Sequence, residues 1–310
     1  MKMSNLFKRL LVKLLRVEQK NAFDEAKLEK MKVDLIANNR KQDKDITTCD
    51  RKLIQGLTIQ QVALENAGGW LVSKEGNRKD CIVYYIHGGG FAGACTKERM
   101  PFVSYVVNTF GYNVFSLDYR LAPEFMYPCG LNDCVDGYRY LLERYDPNKI
   151  VLVGESAGGN FVLTLSMYLR DHQLPLPRSV YANSPATQLV EYTPSYEKYS
   201  LKEDFIVVKG IIENLRGVYC GEEDPKSPYI SPLYGDMNDL PPITLSASEC
   251  ECLLDDSVMM YEKLRKSNTK VELLTYKDLC HAYVISPQLK EVVKQVYPDF
   301  KKYLDACFGG

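Results

Sequence analysis

The sequence of 310 residues is 45% hydrophobic, so it can bury a large core, and one large domain or a domain with a cap fits. Its charges nearly cancel, with 39 Lys and Arg against 40 Asp and Glu. This balance argues against a nucleic-acid binder, because such proteins usually show a basic face. No run of eighteen apolar residues occurs, so we expect neither a transmembrane helix nor stable membrane insertion.

The N-terminal stretch MKMSNLFKRLLVKLLRVEQK places leucine and phenylalanine at helical spacing and predicts an amphipathic helix. Lys8, Arg9, Lys13 and Arg16 interrupt its apolar residues, so it lacks the continuous hydrophobic region of a signal peptide. We expect the helix to pack on the body of the protein. The alternative is weak contact with a lipid interface, or a position over a functional site.

Cysteine and histidine usage bears on the compartment and on metals. Ten cysteines without a signal peptide predict free thiols in a reducing compartment, and therefore a cytoplasmic protein. The three histidines, His87, His172 and His281, show no zinc-ligand spacing. We expect no metal site and no cofactor.

Taken in chain order, an antiparallel strand is predicted at 70–75, and from residue 80 β-rich runs alternate with helical patterns. The further predicted strands are 81–86, 112–119, 149–154, 179–184, 243–248 and 270–276. The predicted helices are 98–109, 130–145, 159–171, 255–267 and 287–304. This alternation predicts an α/β protein whose mostly parallel sheet is covered by helices on both faces.

Two regions do not follow the alternation: the charged, helical residues 1–50 and the tyrosine-rich residues 186–230. We expect both to form a cap over the carboxyl edge of the sheet, where α/β proteins place their sites. The predicted organisation is therefore an N-terminal cap segment, a core in two parts (51–185 and 231–310), and a cap insertion at 186–230.

The stretch GESAGG, 154–159, follows the apolar run KIVLV and precedes a helical pattern. A strand, a tight turn and a helix are the setting in which a nucleophilic serine is exposed on a strained turn. Gly154 and Gly158 leave room for close approach of the neighbouring elements. Ser156 is therefore the candidate nucleophile.

Three consecutive glycines follow His87 in HGGGF, 87–91, after the predicted strand 81–86. Such a loop turns its N–H groups inward, and a tetrahedral oxyanion requires preorganised donors of this kind. The N–H groups of Gly88 and Gly89, with Gly90 as a further candidate, and that of Ala157 are the expected set.

A serine needs a base to take its proton. His281 lies in the loop DLCHAY after the predicted strand 270–276, which opens at the same sheet edge as Ser156. His87 is expected to brace the glycine loop, and His172 to lie on the surface at a helix end. By elimination, His281 is the candidate base.

The acid that orients the base is expected after the strand 243–248, since the order Ser, acid, His is typical of this arrangement. The loop ECECLLDD, 249–256, contains four carboxylates, namely Glu249, Glu251, Asp255 and Asp256. Acidic runs at helix starts are usually solvated, and the loop alone does not separate the four candidates.

Together the motifs resemble the hormone-sensitive-lipase-like branch of the α/β-hydrolase esterases. The matching stretches are HGGGF (87–91), DYRLAPE (118–124), GESAGGN (154–160), SPYISPL (227–233), ECECLLDDS (249–257) and HAY (281–283). The resemblance implies an eight-stranded α/β-hydrolase core, a cap, and hydrolysis of carboxylic esters without a cofactor.

The resemblance also implies roles for individual residues. Ser156 takes the place of the nucleophile, His281 that of the base, and Gly88, Gly89 and Ala157 those of the oxyanion donors. The family's acid is the first aspartate of a D-x-L-x-D pattern.

Residues 251–255 read E-C-L-L-D, which places Glu251 at that position. Asp255 and Asp256 remain the alternative acids. The expected substrate is a small acyl ester of short to medium chain length.

Three other functions are left open. An amidase or deacetylase would use the same triad, and a lipase on long-chain substrates would use the amphipathic N-terminus. A ligand-binding protein on a hydrolase scaffold is disfavoured, because Ser156 and His281 are both present. A homodimer is compatible with the sequence.

Overall fold

The computed structural model describes residues 25–42, 44–93 and 97–309. Eight strands form one sheet: β1 Thr58–Ala63, β2 Gly68–Ser73, β3 Arg78–Ile86, β4 Tyr112–Asp118, β5 Ile150–Glu155, β6 Ser179–Asn183, β7 Ile243–Ser248 and β8 Val271–Tyr276. Their order is β1-β2-β4-β3-β5-β6-β7-β8. The pairs β1–β2 and β2–β4 are antiparallel and the others are parallel. The mostly parallel sheet predicted from the alternating pattern, and the eight strands implied by the family resemblance, are confirmed.

The α-helices are α1 Glu25–Lys41, α2 Arg51–Ile54, α3 Met100–Tyr105, α4 Cys129–Leu142, α5 Ala157–Asp171, α6 Pro194–Tyr199, α7 Ile211–Leu215, α8 Leu254–Leu264 and α9 Lys290–Phe308. Wider π-helical turns extend α3 over Val106–Phe110 and α7 over Arg216–Cys220. Short 3-10 turns lie at Ile46–Thr48, Lys97–Arg99, Pro147–Lys149, Pro232–Tyr234 and Tyr283–Ile285.

The sheet separates two apolar layers because successive strand residues point to opposite faces. On β3, Ile82 and Tyr84 pack with α4, α5 and α8, whereas Val83 and Tyr85 pack with α3 and α9. Strands β5, β6 and β7 are buried along their whole length. Apolar runs such as IVLVG therefore form central strands covered on both sides.

The sequence did not predict β1, whose residues are mostly exposed and whose pattern TIQQVA carries little apolar signal. The strand predicted at 70–75 is antiparallel β2. The helix predicted over 98–109 begins with a 3-10 turn and ends as a π-helical turn.

Residues 186–230, called here the insertion, contain α6 and α7 and no strand. Leu28 of α1 packs on this region, because a Cβ added to Gly217 would lie 2.5 Å from Leu28 Cδ2. The two regions predicted to form a cap are therefore in contact through α1, while the domain boundaries stay a prediction. The amphipathic helix predicted for the N-terminal stretch falls within residues 1–24, outside the described residues.

No helix among the described residues combines the length and apolarity required to cross a membrane.

Candidate active site

Ser156 lies on the tight turn between β5 and α5. Its backbone has φ 57° and ψ −119°, a positive φ that is rare for a residue with a side chain. The N–H of Ser156 donates to the carbonyl of Asn183 on the neighbouring strand (2.9 Å), which holds the turn in place. Such strain persists only where the surroundings enforce it, and here it projects the hydroxyl from the sheet edge.

The two glycines around Ser156 are required by close packing. A Cβ on Gly154 would lie 2.3 Å from the carbonyl oxygen of Gly158, and one on Gly158 would lie 2.0 Å from that of Ile86. No larger side chain fits at either position without moving α5 or β3. The predicted packing role of both glycines is confirmed.

A continuous chain of hydrogen bonds joins Ser156, His281 and Glu251. Nε2 of His281 lies 2.9 Å from Oγ of Ser156, and Nδ1 lies 2.6 Å from Oε2 of Glu251. His281 comes from the loop after β8, and Glu251 from the loop between β7 and α8. The structure thus brings together three predicted residues that lie up to 125 positions apart in the chain.

Glu251 is fully buried, and both its carboxylate oxygens accept hydrogen bonds. Oε1 accepts the N–H of Ser248 (2.7 Å) and the hydroxyl of Ser184 (2.8 Å), while Oε2 faces His281. These hydrogen bonds fix the orientation of the carboxylate. With Nδ1–H donating to Oε2, the unprotonated Nε2 faces the hydroxyl of Ser156.

The environment of His281 favours its charged form. Burial acts to lower its pKa, but the hydrogen bond and negative charge of Glu251, together with the charges of Asp204 and Glu155, raise it above its ordinary value. An imidazole stabilised as the cation by its carboxylate partner is suited to taking a proton from a hydroxyl.

The other predicted acids are engaged elsewhere. Oδ2 of Asp255 accepts the N–H of Ser195 (2.7 Å). Asp256 is buried, and its Oδ1 accepts the N–H of Thr187 (3.1 Å), while burial raises its pKa to about 7. Glu249 accepts the exposed hydroxyl of Thr275 (3.2 Å).

The glycine loop differs from the prediction at Gly88. Its N–H donates to Oε1 of Glu155 (2.8 Å) inside the protein, so it is already engaged and Gly88 is not an oxyanion donor. Gly89, Gly90 and Ala157 line the cavity in front of Ser156. The expectation for Gly88 is thus corrected, and the other three remain candidates.

His87 braces this loop, as predicted. Its Nδ1 lies 2.7 Å from the carbonyl oxygen of Gly88, and its ring stacks on Tyr119 with centroids 4.3 Å apart. Burial lowers the pKa of His87 to about 4. The ring is therefore neutral at pH 7. His172 is exposed at the end of α5, also as predicted.

Glu155, the residue before Ser156, was not predicted from the sequence to take part in the site. Oε1 also accepts Nε of Arg99 (2.9 Å), and Oε2 accepts the hydroxyl of Tyr85 (2.9 Å). The sequence feature that could have indicated this role is a carboxylate at the end of an otherwise apolar strand, because a buried charge requires hydrogen-bonding partners.

Asp204, in the insertion, was missed as well. It is 2% exposed, and its carboxylate, that of Glu251 and the ring of His281 each offer an atom within 4.8 Å of the others. Among the described residues these three form the group with metal-binding chemistry. We assign it no metal, because His281 and Glu251 are already joined by a hydrogen bond.

A cavity of about 410 Å³ opens in front of Ser156 and His281. The core loops contribute Phe91, Arg99 and Cys280 to its wall. The insertion contributes mainly apolar side chains, among them Leu189, Tyr196, Ile206, Val207, Ile212 and Leu215. The site can therefore hold an apolar group against the serine while a few polar atoms orient it.

Comparison with known proteins identifies the family of the chain. A family model for the alpha/beta hydrolase fold matches residues 83–285, more than half of the chain. An acetyl-hydrolase of Streptomyces hygroscopicus is 28% identical over 200 residues, covering 64% of this chain and 67% of that protein. An esterase of Acinetobacter venetianus is 26% identical over 224 residues, which cover 72% of this chain and 74% of that protein.

Solved structures extend the similarity to nearly the whole chain. The crystal structure of an esterase from the bacterial hormone-sensitive lipase family is 25% identical, with a TM-score of 0.78, and the match covers 99% of this chain and 100% of that one. The chain therefore belongs to the α/β-hydrolase family, within its hormone-sensitive-lipase-like branch.

Proposed function

We propose that the protein is a serine carboxylesterase that hydrolyses small acyl esters of short to medium chain length. Its relatives include an esterase and an acetyl-hydrolase, which supports a carboxylic ester hydrolase. The observation that carries the proposal is the hydrogen-bonded chain from Ser156 through His281 to Glu251, at the floor of an apolar cavity.

In the proposed first step, Oγ of Ser156 attacks the carbonyl carbon of the ester while Nε2 of His281 takes its proton. Glu251 holds the imidazole in the required tautomer and stabilises the imidazolium that forms. The carbonyl oxygen becomes an oxyanion. The N–H groups of Gly89, Gly90 and Ala157 are the proposed donors to it, and each donor is worth about 3–4 kcal/mol of transition-state stabilisation.

The tetrahedral intermediate then collapses. His281 gives its proton to the leaving alcohol, and the acyl group stays on Ser156 as an ester. A water molecule enters, His281 takes its proton, and the resulting hydroxide attacks the acyl carbon. Collapse of this second intermediate releases the carboxylic acid and returns the proton to Ser156.

The cavity supports the proposed substrate class. A volume of about 410 Å³ is in the range of sites for small organic molecules. The apolar side chains of the insertion suit an acyl chain. Among the described residues all nine cysteines are free thiols, which supports the proposed cytoplasmic location.

The test is a panel of p-nitrophenyl esters from C2 to C16 with wild type and Ser156→Ala. We expect saturable turnover that is highest for short to medium chains and falls at least ~10³-fold in the variant, with an unchanged melting temperature. A rate that jumps above the solubility limit of a long-chain ester would instead favour a lipase. Absence of turnover by folded wild type on every ester would overturn the proposal.

A further inference from the structure

The geometry points to Asp204 as a positioning residue that docks the insertion onto the acid loop (residues 249–253) and places a second carboxylate beside the Glu251–His281 pair. This inference rests on the proposed serine hydrolase mechanism. It concerns a residue outside every motif that carries the family resemblance.

Hydrogen bonds from the insertion hold the acid loop and the start of α8. Oδ2 of Asp204 accepts the N–H of Cys252 (2.9 Å), and the hydroxyl of Ser195 donates to the carbonyl of Cys252 (2.5 Å). The N–H of Ser195 in turn donates to Oδ2 of Asp255 (2.7 Å). Cys252 directly follows Glu251, so the backbone that carries the acid is fixed by the insertion as well as by the core.

The carboxylate of Asp204 has a defined orientation of its own. Its Oδ1 accepts the N–H groups of Ile206 and Val207, each at 2.9 Å, and Oδ2 faces Cys252. Three N–H donors offset part of the free-energy cost of burying a negative charge. Ile206 and Val207 also line the substrate cavity, so the same carboxylate organises the cavity wall and the acid loop.

Asp204 lies close enough to His281 to act on its charge. One oxygen of Asp204, one of Glu251 and one ring nitrogen of His281 are within 4.8 Å of one another, and all three residues are buried. Charges interact more strongly in such a site than in water. Positive charge on His281 during the reaction is therefore stabilised by Asp204 of the insertion in addition to the carboxylates of the core.

Charged groups act on His281 from three elements around it: Glu251 from the acid loop, Glu155 from the end of β5, and Asp204 from the insertion. Arg99 pairs with Glu155, and the thiols of Cys252 and Cys280 lie near Asp204 and Glu251. Asp204 and Glu155 both act to raise the pKa of His281, after the larger effects of burial and of Glu251. The charge of Asp204 is thus added only when the insertion is docked.

The test compares Asp204→Asn with Asp255→Asn in the full chain, by the pH profile of kcat/KM on a neutral p-nitrophenyl ester. Both substitutions alter a contact of the insertion with the chain next to Glu251, at the acid loop for Asp204 and at the first turn of α8 for Asp255. Only Asp204 belongs to the buried group around His281. We expect the acid limb, which reports proton loss from the base, to move down by about half to one pH unit in Asp204→Asn. We also expect kcat to fall ~10-fold.

In Asp255→Asn the acid limb should stay at the wild-type pH. An equal loss of activity in both variants with unmoved acid limbs would overturn the inference, since that pattern reports structure alone. Asp204→Glu, which keeps the charge, should restore the wild-type limb. If wild type turns over the ester and the acid limb of Asp204→Asn does not shift, only this inference is overturned. If wild type shows no turnover, the proposed function is overturned.

Melting temperatures decide whether each variant is folded. If Asp204→Asn does not fold, Asp204→Ser, which also removes the charge, replaces it in the same pH profile. If neither folds, the inference is overturned, because Asp204 is then required for the fold rather than for positioning the imidazole.

Discussion

Glu155 accepts a hydrogen bond of 2.8 Å from the N–H of Gly88, so the residue directly before the proposed nucleophile holds the glycine loop. The same oxygen accepts Nε of Arg99, whose side chain reaches the cavity wall. The turn that presents Ser156 and the loop that presents Gly89 are therefore tied to each other by one buried carboxylate. Displacing that carboxylate is expected to change the distance between nucleophile and oxyanion donors.

The first prediction concerns this tie. Glu155→Ala should lower kcat ~10–100-fold and change KM less, because the N–H donors of the loop act mainly on the tetrahedral state. Tyr85→Phe is the matched control, since it removes only the hydroxyl that donates to the other oxygen of Glu155. We expect it to stay within ~3-fold of wild type. Equal losses in both variants would contradict a specific role for the bond to Gly88.

The second prediction concerns Glu251. In Glu251→Gln the amide NH₂ must face either Nδ1 of His281 or the N–H of Ser248, because both oxygens of the glutamate accept hydrogen bonds. The first orientation stabilises the wrong imidazole tautomer, and the second sets two donors against each other. We expect kcat to fall ~10²–10⁴-fold, measured with the best ester of the panel.

Glu251→Asp keeps the charge but shortens the side chain by one methylene. It should retain more activity than Glu251→Gln, because the tautomer of His281 is preserved. If Glu251→Gln instead kept wild-type turnover, the acid would have to be sought elsewhere, and the hydrogen bond of 2.6 Å to His281 would be structural.

Local demands on the chain explain why much of the site could be predicted from the sequence. The turn at Ser156 needs glycines at two nearby positions, and Gly154 and Gly158 supply them within five residues. The strands β5 and β7 are apolar runs whose buried faces leave a clear pattern. A structural feature that depends on residues close together in the chain can therefore be predicted from the sequence of that stretch.

Tertiary contacts explain what could not be predicted. Asp204 lies in the stretch YSLKEDFIVV, which has no motif, and its proximity to His281 arises only when the insertion docks on the acid loop. The N–H of Gly88 was expected to face substrate, but the orientation of a loop N–H depends on the side chain it meets, here Glu155. Neither the proximity of Asp204 to His281 nor the bond between Gly88 and Glu155 leaves a local sequence pattern from which it could be predicted.

The third prediction tests the packing of the serine turn. In Gly158→Ala the new Cβ would lie 2.0 Å from the carbonyl oxygen of Ile86, which is backbone and cannot rotate away. We expect a loss of about 3 kcal/mol or more in the free energy of unfolding, and loss of activity. Gly76→Ala is the control, because its φ is +89° but no heavy atom lies within 4 Å. It should cost only about 1–2 kcal/mol of backbone strain.

The fourth prediction concerns Asp256 and the pH dependence of stability. Burial raises its pKa in the folded state from 3.8 to about 7. Between these pH values the folded state holds a proton that the unfolded state has released, so the free energy of unfolding falls as the pH rises through this window. Asp256→Asn removes the titration. From pH 5 to pH 7.5, wild type should therefore lose about 2–3 kcal/mol more than the variant in urea unfolding.

Thr187→Val provides the control for this prediction. The Thr187 hydroxyl lies 3.2 Å from Oδ1 of Asp256 and acts to lower the pKa of that carboxyl. Removing the hydroxyl while keeping Asp256 should raise the pKa further and extend the loss of stability to higher pH. If wild type and Asp256→Asn gave parallel curves of stability against pH, Asp256 would have to be ionised in the folded protein throughout this range. The orientation of Thr187 would then depend on a charged carboxylate rather than a neutral one.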